Sequence, residues 1–321
     1  MELIERIFSI KSKTDFDKVA LDVFHYQVEH CSVYREYVEK VNRNNPSTIE
    51  DIPFLPISFF KTHSIKSTDF EPQVVFKSSG TSGQRSTHQI KDSAVYERSF
   101  TSIYTNSIGI PSDQVILALL PNYQEQGESS LVYMVDHLIK QSADSLSGFV
   151  LDDLNLLIAR YKSARKLGKQ VVIFGVSYAL LDLCELTPNL SDATIIETGG
   201  MKGRRKELTK KELHQQLRLE LNCDKISSEY GMTELLSQSY SIENGLFELC
   251  PWMDVQLRDI SDPFASVKEG KTGGINVIDL ANIHSCSFIA TDDLGRFTDL
   301  KLELMGRFDH TDVRGCNQMV L

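Results

Sequence analysis

The chain lacks any apolar run long enough to cross a membrane. A transmembrane helix needs about 18 consecutive apolar residues, and no run approaches that length. The first segment, MELIERIFSIKSKTDF, alternates charged with apolar residues too early to be a secretory signal peptide. We therefore expect a cytoplasmic protein without a membrane span.

Positive charge and paired cysteines are also scarce. The formal net charge of −10 opposes binding to nucleic acid, and the dense basic run KGRRKELTKKE (202–212) lies among glutamates. The six cysteines, at 31, 184, 223, 250, 286 and 316, show neither the CxxC spacing of zinc sites nor the density of a disulfide framework. We predict free thiols, mostly in the core, and no DNA or RNA partner.

The hydrophobic pattern predicts an α/β protein. Residues 1–65 read as a helical N-terminal cap, because their apolar residues recur at spacings of three and four. From residue 72 onwards, β-branched runs alternate with amphipathic segments, which is typical of a largely parallel sheet covered by helices. The predicted strands are QVVF (73–76), QVILALL (114–120), QVVIFGV (170–176), ATIIET (193–198) and KISSEY (225–230).

After Gly245 the helical patterns become rare. The runs GGINVIDL, CSFIAT and LKLELM indicate a smaller, more antiparallel β region. The sequence thus predicts four parts: the cap at 1–65, an α/β core at 66–245, a β-rich subdomain at 246–310 and a tail at 311–321.

A stretch of small residues, FKSSGTSGQRST (76–87), follows the first predicted strand. Its small side chains allow backbone N–H groups to approach a ligand closely, and Ser78–Gly83 adds four hydroxyl groups that can donate to phosphate oxygens. The stretch is neither the P-loop GxxxxGKS/T nor GxGxxG. A nucleotide phosphate fits this composition, and so does a plain flexible surface loop.

Three later motifs follow in order: SSEYGMTE (227–234), TDDLG (291–295) and GRFDHTDVRG (306–315). Together with SSGTSG they resemble the motifs of the adenylate-forming superfamily, which includes acyl-CoA synthetases, luciferase and acyl-protein synthetases. In that superfamily a loop rich in serine, threonine and glycine is followed in order by YGxTE, TGDL and GRxD. The resemblance spans roughly residues 75–315. It implies the large-domain fold of that superfamily, with 66–245 as the nucleotide-binding core and 246–310 completing the ATP site.

Within the superfamily the chain most resembles the acyl-protein synthetase (LuxE) family. The resemblance rests on SSGTSGQRST, GESSLVYMVDHLI (127–139), ETGGMKGRRKEL (197–208) and the ending VRGCNQMVL. Typical superfamily members continue past GRxD into a mobile domain with a catalytic lysine, whereas this chain stops twelve residues after Asp309. The family implies ATP-dependent activation of a carboxylic acid, such as a fatty acid, and acyl transfer towards an acyl reductase partner.

The resemblance also implies roles for individual residues. The β- and γ-phosphates of ATP would be held by the loop residues Ser78, Ser79, Gly80, Thr81, Ser82 and Gly83. Thr233 would contact the α-phosphate. Glu234 would bind Mg²⁺, a hard cation that prefers carboxylate oxygen; otherwise Glu234 is an exposed glutamate at a helix start.

Other motif residues would contact the nucleoside. Tyr230, followed by Gly231, would stack on adenine, unless it is a core tyrosine. Asp293 would accept hydrogen bonds from the ribose hydroxyls, and Arg307 would reach the same sugar. TDDLG departs from TGDL by one acidic residue, so Asp292 is an alternative to Asp293.

The segment ETGGMKGRRKE offers a further set of contacts. Gly199 and Gly200 would cradle adenine with their backbone, and Lys202 and Arg204 are candidate phosphate cations. The alternative is a solvated helix N-terminus, although cations are unfavourable at that end of a helix unless an anion binds there.

Cys316 is the candidate acyl acceptor. An acyl adenylate is a mixed anhydride with AMP as a good leaving group, and a thiolate is its natural side-chain nucleophile. Arg314 would favour the thiolate, and the family carries an acylated cysteine near its C-terminus. One of six cysteines can also fall there by chance.

Two other functions stay open. A CoA ligase of the phenylacetate type would form acyl-CoA when CoA is added, although the missing lysine domain argues against it. A non-catalytic subunit would bind nucleotide and a partner without supporting pyrophosphate exchange. The sequence GQRS (83–86), where relatives often carry proline and lysine, is consistent with this second alternative.

Overall fold

The computed structural model describes residues 2–79, 84–121, 127–151, 153–199, 208–241, 245–268 and 270–308. These residues form nine α-helices: α1 (Leu3–Phe8), α2 (Lys13–His30), α3 (Ser32–Lys40), α4 (Phe59–Thr62), α5 (Ser93–Ser107), α6 (Ser130–Ser142), α7 (Leu154–Lys166), α8 (Ser177–Cys184) and α9 (Lys210–Leu221). No helix in these ranges is long and apolar enough to cross a lipid bilayer.

Fourteen β-strands lie within the same ranges. They are β1 (Leu55–Pro56), β2 (Val74–Lys77), β3 (Thr87–Ile90), β4 (Gln114–Leu119), β5 (Gly148–Phe149), β6 (Gln170–Val176), β7 (Ala193–Thr198), β8 (Lys225–Tyr230), β9 (Ser239–Ser241), β10 (Leu246–Glu248), β11 (Met253–Arg258), β12 (Gly273–Asp279), β13 (Phe288–Thr298) and β14 (Lys301–Arg307). The five strands predicted between residues 73 and 230 are all present.

Twelve of the described strands form one sheet. Its order is β11–β12–β13–β14–β10–β9–β8–β7–β6–β4–β5, with β1 beside β13. Neighbours from β5 to β8 are parallel, and neighbours from β8 to β11 are antiparallel. The α/β fold with a smaller antiparallel region is confirmed, and both regions belong to one hydrogen-bonded sheet.

The parallel strands form because their sequences are apolar on both faces. Every residue of β4 is buried, as are all residues of β6 except the first. Such near-continuous apolar runs are typical of parallel strands covered by helices on both sides. The five cysteines in the described ranges are free and buried, as expected for core thiols.

The start of α9 is set by a pair of reciprocal hydrogen bonds. The helix begins at Lys210 because the Thr209 side chain accepts a hydrogen bond from Glu212 N, and the Glu212 carboxylate accepts one from Thr209 N. This reciprocal capping box ends the preceding loop. Leu213, Leu217 and Leu221 are buried on one face of the helix.

The N-terminal helices pack against the antiparallel region. Gln27 of α2 donates hydrogen bonds of 3.1 Å to the carbonyls of Asn282 and Ile283. The ring of Tyr34 stacks on Phe288 of β13, with centroids 5.9 Å apart. The boundaries predicted for the four parts stay predictions, since contacts of this kind link the parts closely.

Two motifs lie in unexpected positions. The strand predicted at QVVF pairs antiparallel with β3 in a separate two-stranded sheet and does not join the parallel strands. SSGTSG therefore connects the two strands of a hairpin. The predicted β run CSFIAT ends at Thr291, but β13 continues through all of TDDLG, because pairing with β14 continues through a bulge at Leu294/Gly295.

Candidate adenylation site

The YGMTE motif follows β8 at the carboxyl ends of the parallel strands, where open α/β sheets bind ligands. Tyr230 is the last residue of β8, and its hydroxyl donates a 3.0 Å hydrogen bond to Asp293 Oδ2. Arg307 Nε donates to Asp293 Oδ1 over 2.8 Å. The structure thus brings three predicted residues from β8, β13 and β14 together, and we call them the Tyr230 cluster.

Two of the three residues of the Tyr230 cluster are buried. Tyr230 and Asp293 are each 7% exposed, whereas the Arg307 side chain is 67% exposed. Burial, reinforced by the Asp293 charge, raises the pKa of Tyr230 well above its ordinary value, so the phenol remains a hydrogen-bond donor. Asp292 and Asp293 both act through their charges on Arg258 and Arg307. The hydrogen bonds that Asp293 accepts from Tyr230 and Arg307 favour it as the candidate ribose ligand.

The turn that carries Thr233 and Glu234 is held by the last residue of β12 and by the segment that follows it. The buried Asp279 carboxylate accepts hydrogen bonds from Leu236 N at 2.7 Å and Ser237 N at 2.9 Å. Asn282 Nδ2 donates to the Glu234 carbonyl over 2.7 Å. Sequence reasoning missed Asp279 and Asn282, because neither belongs to a motif.

The hairpin formed by β2 and β3 meets the same turn. His88 Nδ1 lies 2.8 Å from the Thr233 carbonyl oxygen, and His88 Nε2 lies 3.0 Å from Asn282 Oδ1. Burial lowers the pKa of His88 to about 4, so its ring is neutral at pH 7. His88 was also missed, since the sequence shows only an isolated histidine in a polar strand.

The base of the hairpin lies beside Glu234. Ser78 N donates to the Ser86 carbonyl over 3.0 Å, and Ser86 N donates to Ser78 Oγ over 2.9 Å. The Ser86 side chain in turn lies close enough to the Glu234 carboxylate to lower its pKa. The two ends of the small-residue loop, including the candidate Ser78 and the adjacent Ser79, therefore start next to the candidate metal ligand.

Glu234 is placed to bind a metal ion that is also bound by the phosphates of ATP. It is 5% exposed, in contrast to the exposed alternative considered above, and burial raises its pKa, with Ser86 partly opposing the shift. No three His, Cys, Asp or Glu side chains of the described ranges converge on a metal position. Mg²⁺ is commonly held by one or two carboxylates plus substrate phosphates, so the donor set fits Mg²⁺ bound together with ATP.

Gly199 begins the glycine-rich segment after β7. Its φ of +69° lies in the left-handed region that favours glycine. Its carbonyl accepts a hydrogen bond from Ser177 Oγ at 3.4 Å, and Ser177 Oγ also donates to Glu197 Oε2 at 3.1 Å. These contacts fix the end of β7 from which the segment departs.

Glu197 is a buried residue just before that segment, and it contacts the residues that follow the segment. Its carboxylate pairs with Lys210 at the start of α9 and accepts a 2.6 Å hydrogen bond from Ser228 Oγ. Burial acts to raise its pKa, but the hydrogen bonds and charges of His214, Lys210 and Ser228 outweigh it and lower the pKa to about 2. Glu197 is therefore ionised and holds the two ends of the segment together.

The protein's own packing leaves no room for a side chain at Gly231. A Cβ on Gly231 would lie 2.4 Å from Glu229 Oε1. Glu229 is 8% exposed and accepts a hydrogen bond from Thr198 Oγ1. Burial, which dominates over Thr198, raises the pKa of Glu229 to about 7. The predicted contact of Gly231 with nucleotide stays a prediction.

Several candidates lie outside the described residues, and their roles stay predictions. They are Gly80, Thr81, Ser82, Gly83, Gly200, Lys202, Arg204 and Cys316. A cavity of about 320 Å³ lies elsewhere, between the N-terminal segment around Phe54 and the loop around Phe264. None of the described candidates lines it.

Comparison with known proteins agrees with this geometry. The family model of acyl-protein synthetases, LuxE, matches residues 7–321. No curated protein matches the chain in sequence. Among solved structures, ATP-bound MatB from Rhodopseudomonas palustris has a TM-score of 0.55 at 15% identity, over 75% of this chain and 50% of that chain.

A second solved structure covers more of the chain. The 2-hydroxyisobutyryl-CoA ligase in complex with 2-HIB-AMP and CoA has a TM-score of 0.66 at 14% identity, over 94% of this chain and 70% of that chain. The chain spans about half the length of the MatB structures. At such identities the likeness shows the fold alone. The match of the family model shows more: this chain belongs to the acyl-protein synthetase (LuxE) family.

Proposed function

We propose that the chain is an ATP-dependent acyl-protein synthetase of the cytoplasm. A carboxylate oxygen of the acid attacks the α-phosphorus of ATP, the bond to the β-phosphate breaks, and pyrophosphate leaves with acyl-AMP formed. The main support is the convergence of Tyr230, Glu234, Asp293 and Arg307, which come from three separated motifs, around one edge of the sheet. A fatty acid is the substrate that the family implies.

The Tyr230 cluster would bind the nucleoside. Asp293 would accept hydrogen bonds from the ribose hydroxyls with the lone pairs that Tyr230 and Arg307 leave open. Tyr230 would lie against adenine while its hydroxyl orients Asp293. Gly199 and Gly200 would border the base, and a backbone without side chains suits that close approach.

The hairpin and the YGMTE turn would hold the phosphates. Ser78 to Gly83 would donate hydroxyl and backbone hydrogen bonds to the β- and γ-phosphates, with Lys202 and Arg204 as further cations. Thr233 would contact the α-phosphate, and Glu234 would hold Mg²⁺. The metal ion neutralises charge that develops on the phosphates.

The second half-reaction would use Cys316. Its thiolate attacks the acyl carbonyl carbon, the carbon–oxygen bond of the mixed anhydride breaks, and AMP leaves with a thioester formed. The described cysteines suit this role poorly, since burial raises, for example, the pKa of the Cys223 thiol to about 11. The acyl group would then pass to a partner such as an acyl reductase.

Labelled acid, Mg²⁺ and ATP test both half-reactions. The wild-type protein should catalyse acid-dependent pyrophosphate exchange and acquire label that hydroxylamine releases. Cys316→Ser should keep the exchange and lose the label, because a hydroxyl is hardly ionised near neutral pH. Cys223→Ser, a change of a buried thiol, is the matched control and should keep both. Undiminished labelling of Cys316→Ser would overturn the proposed acceptor.

A CoA ligase is the second candidate, because the neighbouring 2-hydroxyisobutyryl-CoA ligase structure contains CoA. Adding CoA to the same assay distinguishes the two. Release of acyl-CoA at the expense of protein label would favour the ligase. Absence of pyrophosphate exchange with every acid of a broad panel would instead favour a non-catalytic, nucleotide-binding subunit.

A further inference from the structure

Strand β3 presents two side chains to the YGMTE turn. Ser86, just before β3, and His88, within it, are two residues apart, so an extended chain directs them to the same side. The Ser86 side chain lies close to the Glu234 carboxylate, and His88 Nδ1 lies 2.8 Å from the Thr233 carbonyl oxygen. The hairpin is thus joined to two consecutive residues of the turn.

The His88 ring is fixed from its other side as well. Asn282 Nδ2 donates to the carbonyls of Glu234 at 2.7 Å and Cys286 at 2.9 Å. These two acceptors determine the orientation of the amide, so Asn282 Oδ1 is the atom that faces His88 Nε2 at 3.0 Å. Both ring nitrogens therefore face oxygen acceptors, and a neutral ring has one N–H to donate.

The shorter contact identifies the donor. The Nδ1 contact with Thr233 is 2.8 Å and the Nε2 contact with Asn282 is 3.0 Å. Neither acceptor can turn away from the ring, because the Thr233 carbonyl belongs to the backbone and Asn282 Nδ2 is held by two other hydrogen bonds, so the assignment rests on this difference in distance. The proton of the neutral ring accordingly belongs on Nδ1.

We propose that His88 is a positioning residue for adenylation: its Nδ1–H holds the Thr233 carbonyl and so fixes the Thr233–Glu234 backbone relative to the phosphate-binding hairpin. This inference rests on the function proposed above. Displacing a reacting group by about 1 Å can cost roughly 100-fold in rate. Loss of the His88 contact should therefore lower kcat more than it raises KM for ATP, because ATP would still be bound by the Tyr230 cluster and the hairpin.

Two substitutions separate positioning from packing. The amide nitrogen of His88→Asn can occupy the place of Nδ1, whereas that of His88→Gln reaches the place of Nε2. His88→Asn should keep kcat for pyrophosphate exchange within about fivefold of wild type. His88→Gln should lower kcat about 100-fold with KM for ATP changed less than about threefold. If packing alone mattered, the order would reverse, since Gln fills more of the space.

His284 provides the matched control. It is another partly buried histidine, in the segment between β12 and β13, and its Nδ1 has no hydrogen-bond partner. His284→Asn and His284→Gln should give equal kcat values. Equal kcat values for His88→Asn and His88→Gln, or a lower value for His88→Asn, would overturn the proposal.

Two further measurements do not depend on catalysis. Without nucleotide, amide hydrogen exchange of residues 231–236 should be faster in His88→Gln than in His88→Asn. Nitrogen-15 shifts of the wild-type His88 ring should show the proton on Nδ1, which requires no variant to fold. A proton on Nε2, or equal exchange in the two variants, would contradict the proposal. If both expectations are met but the wild-type protein lacks pyrophosphate exchange, the proposed function is contradicted and the contact that positions the Thr233–Glu234 backbone stays intact.

Discussion

The Tyr230 hydroxyl lies 3.0 Å from Asp293 Oδ2, although β8 and β13 are four steps apart in the order of the sheet. With neighbouring strands about 4.8 Å apart, four steps along a flat sheet would span roughly 19 Å. The antiparallel region must therefore curl towards the end of β8. This curvature brings the motifs YGMTE and TDDLG into contact.

The contact predicts a defined effect on nucleotide affinity. Asp293→Asn keeps the shape but removes the charge that would bind the ribose hydroxyls, so the Kd for ATP should rise at least about tenfold. Isothermal titration calorimetry measures this change. Asp292→Asn is the control and should change Kd by less than about threefold. The opposite order would assign the ribose to Asp292.

Glu234→Gln should uncouple metal use from nucleotide binding. Loss of the carboxylate charge should reduce pyrophosphate exchange about 100-fold, while ATP affinity without Mg²⁺ changes little. A Mg²⁺ titration of the exchange rate measures the effect. Glu229→Gln, which changes another buried carboxyl five residues earlier in the chain, is the control. Normal exchange by Glu234→Gln across the titration would exclude the metal role.

Gly231→Ala should destabilise the protein through Glu229. The new Cβ would meet Glu229 Oε1 at 2.4 Å, and such overpacking costs about 1–3 kcal/mol. In a Glu229→Ala background the cost should largely disappear. Urea denaturation of the four proteins in this double-mutant cycle gives the coupling directly. A cost that is the same in both backgrounds would mean that another contact requires the glycine.

Glu229 should make stability fall as pH rises. Its pKa is raised from 4.5 to about 7, mainly by burial. Between these values the folded protein keeps a proton that the unfolded chain releases, so the free energy of unfolding decreases with rising pH, by roughly 3 kcal/mol at most, and levels off above pH 7.

Glu229→Gln should remove this pH dependence, because the amide does not ionise. Its stability relative to wild type, from urea denaturation, should be clearly more favourable at pH 8 than at pH 4.5. Glu197→Gln is the contrasting control. The Glu197 carboxylate is stabilised in the fold with a pKa of about 2, so its contribution to stability is present above pH 4.5 and is lost only as the pH falls towards 2. The cost of replacing it should therefore be nearly equal at pH 4.5 and pH 8. An equal difference at both pH values for Glu229→Gln would contradict the raised pKa.

Local sequence was sufficient to predict the parallel strands. The apolar runs of β4, β6 and β7 are short, rich in β-branched residues and bounded by helical segments, so the pattern itself indicates strands. The partner of β2 was not predictable, because pairing depends on β3, which lies beyond the loop and is polar. The length of β13 likewise depends on β14.

The candidate site divides in the same way. Tyr230, Asp293 and Arg307 belong to motifs that the sequence displays, and the structure places them in contact. His88 and Asn282 act on backbone carbonyls of residues far away in sequence. No spacing in the sequence predicts such contacts. Most buried polar side chains are hydrogen-bonded, and the fold decides which partner each can reach.

The narrowness of β9 and β10 has a mechanical consequence. Each is three residues long, yet together they carry the hydrogen bonding from the parallel to the antiparallel region. So few backbone hydrogen bonds resist sliding of the two regions only weakly, and side-chain contacts such as that of Tyr230 with Asp293 help to hold the regions together. A nucleotide bound to both regions would add its binding free energy to the free energy needed to separate them.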